Sequence, residues 1–128
     1  MATMKMPMAV GTGSGGAKSD TLNFGGTSVT KEIDTGLGSA LSKFVMIGVP
    51  NPSDGYPFEQ VVAWTSDYPS YYWVAYGNGH SNAKQSVGSA YANYACKIDS
   101  VSNGKVTITS ASDNTFNTAT CDCYWYAE

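Results

Sequence analysis

The sequence predicts an all-β fold, an antiparallel β-sandwich or jelly roll of about eight strands with an extended N-terminal arm. Short apolar or alternating stretches recur along the chain with turn residues between them, which is the pattern of a sandwich. Gly (14 residues) and Tyr (nine) are abundant and charged residues make up only 13%, a composition typical of strands joined by tight turns. Asn103-Gly104 lies between two strand-like runs and predicts a hairpin, because both residues of such a turn adopt positive φ.

The chain divides into two regions. Residues 1–21 are predicted to be an extended anchoring arm, since four of the five Met lie in the first eight positions and a Gly-rich segment, residues 11–17, follows. Residues 22–128 are predicted to form the sandwich. A chain of 128 residues is long enough to bury a core as one domain.

Eight stretches of the second region have strand patterns. Residues 43–49 form a continuous apolar run, which we expect at the centre of a sheet with both faces covered. Residues 36–42 contain two Gly and are expected to form at most one helical turn. Residues 84–87 are expected to be a short edge strand. The predicted strands are residues 28–34, 43–49, 59–65, 70–76, 84–87, 91–99, 105–110 and 121–127.

The last third of the chain gives the clearest strand signals. Residues 105–110 alternate between apolar and polar, as expected for a strand with one buried face. Ile98 and Val101 are separated by an odd number of positions, so both cannot face inward in an unbroken strand. We therefore predict a bulge near Asp99 and Ser100.

No pattern of catalytic residues occurs in the chain. His80 is the only histidine, and it lies in a turn-like segment that favours a solvated side chain. The nucleophile elbow Gly-x-Ser-x-Gly is absent, and no spacing of acids favours a catalytic carboxylate pair. We therefore predict that the protein is not an enzyme and carries no cofactor or catalytic metal. A weaker alternative is a calcium site built from the loop oxygens of Asn51, Ser53 and Asp54.

The three cysteines do not form a disulfide framework, because their number is odd. Cys96, Cys121 and Cys123 lie in apolar, Tyr-rich strand patterns, and we expect buried thiols that act as small hydrophobic groups. A bridge from Cys96 to Cys121 or Cys123 is the alternative. The Cys-x-Cys spacing disfavours zinc.

The charge pattern argues against nucleic-acid and membrane partners. The chain has seven Lys, no Arg and a net charge of −3, whereas phosphate recognition relies on basic side chains, Arg above all. No apolar run approaches the ~20 residues of a membrane span. The first residues lack the apolar region of a signal peptide, so we expect synthesis in a cytoplasm without export by that route.

The aromatic run over residues 68–76 is the best candidate for a binding surface. Tyr71 and Trp73 share one face of the predicted strand, and Tyr72 and Tyr76 share the other, so one face must belong to the core. The exposed face is expected to pack against another subunit or, alternatively, to stack on a sugar ring. Strand-forming propensity alone also explains such a composition. The residues that we assign to this surface are Tyr68, Tyr72 and Tyr76, with Tyr124 and Tyr126 as further candidates.

The arm is expected to attach to a neighbouring protein, because Met side chains adapt to irregular apolar grooves. The predicted anchoring residues are Met4, Met6, Met8 and Val10. The alternative is an arm that folds back on its own domain.

Two pairs of segments carry a resemblance to a known class of proteins. Residues 33–37 with 43–47, and residues 106–109 with 124–127, resemble C-terminal β-sandwich domains of bacteriophage fibres and accessory virion proteins. The resemblance covers residues from about 22 to 128 and implies an outer β-sandwich domain that is often trimeric. Fibres carry such a domain after a long shaft, whereas only a short arm precedes it here.

The resemblance implies a phage virion structural protein, a capsid decoration or head-fibre-like subunit located in the virion. Its expected partners are capsid or other virion proteins and further copies of itself, with a trimer favoured. The alternative is a carbohydrate-binding receptor-recognition module at a tail tip, with a host glycan as ligand. A third hypothesis is a structural protein unrelated to phages.

Overall fold

A computed structural model describes residues 16–49, 60–76, 83–91, 95–112 and 122–128. The described residues form nine strands in two antiparallel sheets, together with one turn of 3₁₀ helix at Gly38–Ala40. The prediction of an all-β sandwich of about eight strands is therefore confirmed. The strands are β1 (Lys18–Leu22), β2 (Thr30–Asp34), β3 (Lys43–Val49), β4 (Gln60–Thr65), β5 (Tyr71–Tyr76), β6 (Ala83–Ser86), β7 (Lys97–Ser102), β8 (Lys105–Thr109) and β9 (Asp122–Ala127).

The larger sheet has six strands in the order β1-β9-β3-β4-β5-β6, and the smaller sheet has the order β2-β8-β7. The apolar strand β3 lies inside the larger sheet between β9 and β4, where its residues pair on both sides. β6 is an edge strand, as predicted for this segment. The C-terminal strand β9 completes the sheet by pairing with both β1 and β3.

The hydrophobic core lies between the two sheets. Side chains on one face of each sheet are almost completely buried and belong to one contiguous cluster. Removing a large apolar side chain from water contributes about 1.5–3 kcal/mol, so this layer is the main source of stability. The buried residues of the larger sheet are Phe44, Met46, Val62, Trp64, Tyr72, Val74, Cys123, Trp125 and Ala127, and those of the smaller sheet are Ile33, Ile98, Val106 and Ile108.

The predicted Asn-Gly hairpin is confirmed. Asn103 and Gly104 have φ values of 51° and 79°, and they connect β7 to β8. The Gly104 carbonyl accepts hydrogen bonds from the backbone N–H of Thr35 (3.0 Å) and from its hydroxyl (2.6 Å). The hairpin is thereby attached to the segment that follows β2.

The predicted bulge is also present. The register between β7 and β8 shifts between Ile98 and Ser100, so Asp99 is the extra residue. The shift places Ile98 opposite Ile108 and Val101 opposite Val106. Both apolar residues of β7 therefore lie on the face that packs against the core, despite their odd spacing.

The largest differences from the predicted boundaries concern β1 and β7. β1 begins at Lys18, inside the range assigned to the arm, because its backbone pairs with β9 along the edge of the sheet. The strand predicted over residues 91–99 was wrong in extent, since β7 begins only at Lys97. Its partner β8 ends at Thr109, opposite Lys97, so no further backbone is available for pairing.

The cysteine predictions are tested only in part. Cys96 and Cys123 are fully buried, as expected for small hydrophobic groups in the core. Cys121 lies outside the described residues, and a bridge involving it stays a prediction. The part of the chain that the structure describes contains no helix long and apolar enough to cross a membrane.

Candidate functional site

The outer face of the six-stranded sheet is the surface that departs most from a solvated sheet. An antiparallel sheet in a sandwich normally exposes polar side chains on its outer face. In β9, β3, β4 and β5, directly opposed residues point to the same side, and the register aligns apolar residues there. These residues are Tyr124, Tyr126, Val45, Ile47, Val61, Ala63, Trp73 and Ala75. The prediction that β3 is covered on both faces was therefore wrong, since Val45 and Ile47 are partly exposed on this side.

Large aromatic side chains flank smaller ones on this face. Tyr124 projects from β9 and is 48% exposed, and Trp73 projects from β5 and is 37% exposed. The two strands are separated by β3 and β4, so the aromatic rows stand about 14 Å apart. Val45 and Ala63 lie in one register between Tyr126 and Trp73, and Ile47 and Val61 lie in the next register between Tyr124 and Ala75. The result is a shallow apolar trough, which we call the outer trough.

Tyr68 and Trp73 form a corner at one side of the trough. Their ring centroids are 6.1 Å apart and the ring planes meet at 76°, an edge-to-face arrangement that aromatic pairs favour. Tyr68 is the most exposed large hydrophobic residue among those described, at 62%. The corner therefore presents two aromatic surfaces to solvent at nearly a right angle.

The turn that carries Tyr68 is held by hydrogen bonds to both flanking strands. The Tyr68 N–H donates to the Thr65 carbonyl (3.3 Å), and the Tyr71 N–H donates to the Tyr68 carbonyl (3.1 Å). The indole N–H of the buried Trp64 donates to the Pro69 carbonyl (3.1 Å). A core residue thus fixes the turn, and the position of the exposed Tyr68 backbone is set before any partner binds.

Lys84 supplies a positive charge beside the corner. It lies directly opposite Trp73 on the edge strand β6, and its Nζ is 4.6 Å from the centroid of the Tyr71 ring. This is within the distance of a cation–π interaction. Among the described residues no carboxylate lies within ion-pair distance of Lys84.

A small polar network borders the opposite side of the trough. The Tyr126 hydroxyl donates to Glu128 Oε2 (2.6 Å), and Lys43 Nζ lies 3.4 Å from Glu128 Oε1. Burial and the neighbouring carboxylate raise the pKa of Tyr126 to about 12. The hydrogen bond from Tyr126 holds the pKa of the Glu128 carboxyl below its ordinary value. This network fixes the ring of Tyr126 on the β9 side of the trough.

The structure corrects one of the predicted surface residues. Tyr72 is completely buried, and its hydroxyl donates to the Ser89 carbonyl. It lies on the same side of β5 as Val74, which is also buried, so this side faces the core. Tyr68 is exposed as predicted. The side chain of Tyr76 lies outside the described part of the chain.

Sequence reasoning missed the two residues of β5 that reach the surface. Tyr71 and Trp73 are exposed on the outer face, although both strand faces are aromatic in the sequence. The polar residues Lys84 and Ser86 pair with Trp73 and Tyr71, and directly opposed residues share a face of the sheet. Their polarity was therefore the available signal that this face of β5 is exposed to solvent.

Other predicted site residues cannot be placed. The anchoring residues Met4, Met6, Met8 and Val10, the candidate calcium ligands Asn51, Ser53 and Asp54, and His80 all lie outside the described residues. Within residues 16–49, 60–76, 83–91, 95–112 and 122–128, no three His, Cys, Asp or Glu side chains are grouped so that they could hold a metal ion.

Comparison of the chain with protein-family models, curated proteins and solved structures finds no match. The fold and the outer trough are therefore the observations on which a functional assignment rests.

Proposed function

We propose that this protein is a structural subunit of a bacteriophage particle, a capsid decoration or head-fibre-like protein anchored by its N-terminal arm. Its action is to bury apolar surface against neighbouring virion proteins and copies of itself, which stabilises or decorates the particle surface. The observation that carries the proposal is the outer trough, where apolar side chains of four adjacent strands replace the usual polar face.

An exposed apolar surface of this kind supports a role in assembly. Exposed contiguous apolar patches in soluble proteins mark interaction sites, and permanent interfaces are more apolar than transient ones. The trough is about 14 Å wide by the strand spacing and about 17 Å long for five residues, or roughly 240 Å². A standard interface needs about 800 Å² on each partner. The trough therefore suits the centre of an interface to which further contacts must be added.

The arm supplies those further contacts in this proposal. Met4, Met6, Met8 and Val10 give it apolar side chains, and Met packs well against aromatic rings such as those of the trough. The resemblance to phage fibre domains supports the choice of a virion as the assembly and of a trimer as its oligomeric state.

The test is removal of residues 1–15, followed by co-sedimentation with particles of the phage whose genome encodes the chain. The deletion stops before β1, since residues 18–22 pair with β9 and belong to the sandwich. A full-length variant with Met4, Met6 and Met8 changed to Ser is the matched control for chain length. We expect both variants to remain folded and to lose particle binding. Retention of binding by the deletion variant would contradict the anchoring role.

The contribution of the trough is tested separately. Tyr124→Ala removes a half-exposed ring that projects from the outer face of the sheet, away from the core, so we expect normal folding and reduced occupancy on particles. Occupancy equal to that of the wild type would exclude the β9 side of the trough from the interface. Sedimentation velocity of the purified chain measures whether it forms the expected trimer.

A second candidate function is recognition of a host glycan at a tail tip. The exposed corner of Tyr68 and Trp73 favours it, because aromatic rings with open faces bind sugar rings by stacking. The corner shares Trp73 with the outer trough, whereas Tyr124 lies only on the β9 side of the trough, so variants of Tyr124 and of Tyr68 separate the two functions.

A further inference from the structure

We propose that Trp73, Tyr68 and Lys84 form a saccharide-binding site in which one pyranose ring packs into the aromatic corner. This inference develops the second candidate function by naming the residues and the chemistry of the ligand. It does not depend on attachment of the protein to a particle.

The shape of the corner fits a sugar ring. The π-face of an aromatic ring is negative, and the axial C–H groups of a pyranose are weakly positive, so the two surfaces attract each other when stacked. The rings of Tyr68 and Trp73 meet at 76° with centroids 6.1 Å apart. One ring can therefore lie under the sugar while the other contacts its edge.

Polar groups for the sugar hydroxyls lie on the neighbouring strand. Lys84 is directly opposite Trp73 and Ser86 is directly opposite Tyr71, which places their Cβ atoms about 5 Å from those of their partners. The Lys84 ammonium has three N–H donors, and the Ser86 hydroxyl both donates and accepts. Because Lys84 has no carboxylate partner among the described residues, it is available for hydroxyl or carboxylate oxygens of a saccharide.

The size of the patch suits a saccharide. The exposed fractions of Tyr68, Tyr71 and Trp73 are 62%, 38% and 37%, which correspond together to about 270 Å² for side chains of roughly 200 Å² each. This area is enough to cover one or two sugar rings.

The site is organised before binding. Hydrogen bonds from Tyr68, Tyr71 and the indole of Trp64 fix the turn, and Lys84 already contacts the Tyr71 ring. Binding therefore requires little ordering of the protein, which favours affinity for a small ligand.

The experiment is a screen of the full-length wild-type chain on an array of neutral and acidic glycans, with calorimetry on each hit. We expect binding to at least one pyranose-containing glycan. Trp73→Ala should weaken that binding about tenfold or more, as truncation of a central aromatic contact does, and Tyr68→Ala should weaken it as well. Lys84→Met, which keeps the aliphatic chain, should reduce binding most for acidic glycans.

Tyr124→Ala is the matched control, because it removes another exposed ring from the same face three strands away. It should bind glycans like the wild type. Circular dichroism and thermal unfolding establish that each variant is folded, and Trp73→Thr, which removes the ring but keeps a strand-forming side chain, serves in place of Trp73→Ala if the latter is not. An array without hits for the folded wild type overturns the proposal, as does a Trp73 variant that binds like the wild type. Neither result affects the particle-binding assay, so the two proposals fail independently.

Discussion

Substitution of Gly104 by Ala tests whether the hairpin turn and the 3₁₀ segment are packed backbone against backbone. Gly104 is buried with φ +79°. A methyl group at this position would lie 2.4 Å from the nitrogen of Gly38, 2.8 Å from its Cα and 2.9 Å from its carbonyl oxygen. All three atoms belong to the backbone, so no flexible side chain can move aside.

The expected loss of stability has two parts. A left-handed conformation costs a residue with a Cβ about 1–2 kcal/mol, and an added group in a packed interior costs about 1–3 kcal/mol more. We therefore expect Gly104→Ala to lower the free energy of unfolding by about 2–5 kcal/mol. The hydrogen bonds from Thr35 to the Gly104 carbonyl would lengthen as the turn moves away.

Gly25→Ala provides the matched control. Gly25 has φ +76°, and a methyl group there would meet nothing within 4 Å. The Gly25→Ala substitution should therefore lower the free energy of unfolding only by the conformational part, about 1–2 kcal/mol. Chemical denaturation of both variants, with the transitions fitted at a common slope, measures the difference. If Gly104→Ala is no more destabilising than Gly25→Ala, the steric argument is refuted.

Four further substitutions test the core and the titrating groups. Phe44→Ala should destabilise the fold by about 3–5 kcal/mol, because this side chain is fully buried, and Val45→Ala on the partly exposed face should cost far less in the same denaturation assay. Burial, followed by nearby negative charge, raises the pKa of Tyr72 from 10.0 to about 12. The contribution of Tyr72 to stability should therefore be constant below pH 10 and fall as the pH rises towards 12, since the phenol ionises more readily in the unfolded chain. Tyr72→Phe should make the decline between unfolding curves at pH 9 and pH 11 smaller, and the part that remains includes the contribution of Tyr126, whose pKa is also raised. The hydroxyl of Tyr126 lowers the pKa of Glu128. The small stabilisation of the fold by this carboxylate should therefore be present above pH 4.5 and disappear on acidification. In Glu128→Gln, the free energy of unfolding should change less between pH 6 and pH 3 than it does in the wild type.

The two candidate roles of the outer face follow from its layout. The β9 side combines Tyr124 with aliphatic neighbours and suits a broad protein contact. The β5 side combines an aromatic corner with Lys84, which contacts the Tyr71 ring and has no carboxylate partner among the described residues, and it suits a small polar ligand. A protein that used both sides would attach through one and recognise a glycan through the other. The paired assays with Tyr124→Ala and Tyr68→Ala separate these functions directly.

Local patterns were sufficient for the elements whose signals lie within a few residues of one another. The bounds of β3, residues 43–49, follow from one continuous apolar run, and they agree with the structure. The hairpin at Asn103-Gly104 follows from the need for positive φ at both residues. The bulge at Asp99 follows from the odd spacing of Ile98 and Val101. Each of these features is determined by a few residues that are adjacent in the sequence.

The composition of the candidate site was recognisable from the sequence, but its orientation was not. The run over residues 68–76 was identified as a surface candidate, and Tyr68 was placed correctly. Tyr72 was assigned to the surface although it belongs to the core, because both faces of β5 are aromatic and a period of two gives no indication of which face turns inward. The two faces of β5 are distinguished only in the folded protein, where the smaller sheet packs against the face that carries Tyr72 and Val74.

Local patterns in the chain establish the all-β class, most of the strands and the tight turns, because alternation, φ preference and spacing are encoded over a few residues. The sheet order, the pairing of Lys18–Leu22 with the last strand and the choice of exposed rings emerge only in the folded molecule. These features depend on contacts between residues far apart in the chain, such as Thr21 with Tyr124 or Val45 with Tyr126. A short polar strand such as β1 has no apolar pattern of its own, and it becomes a strand because β9 offers it a free edge.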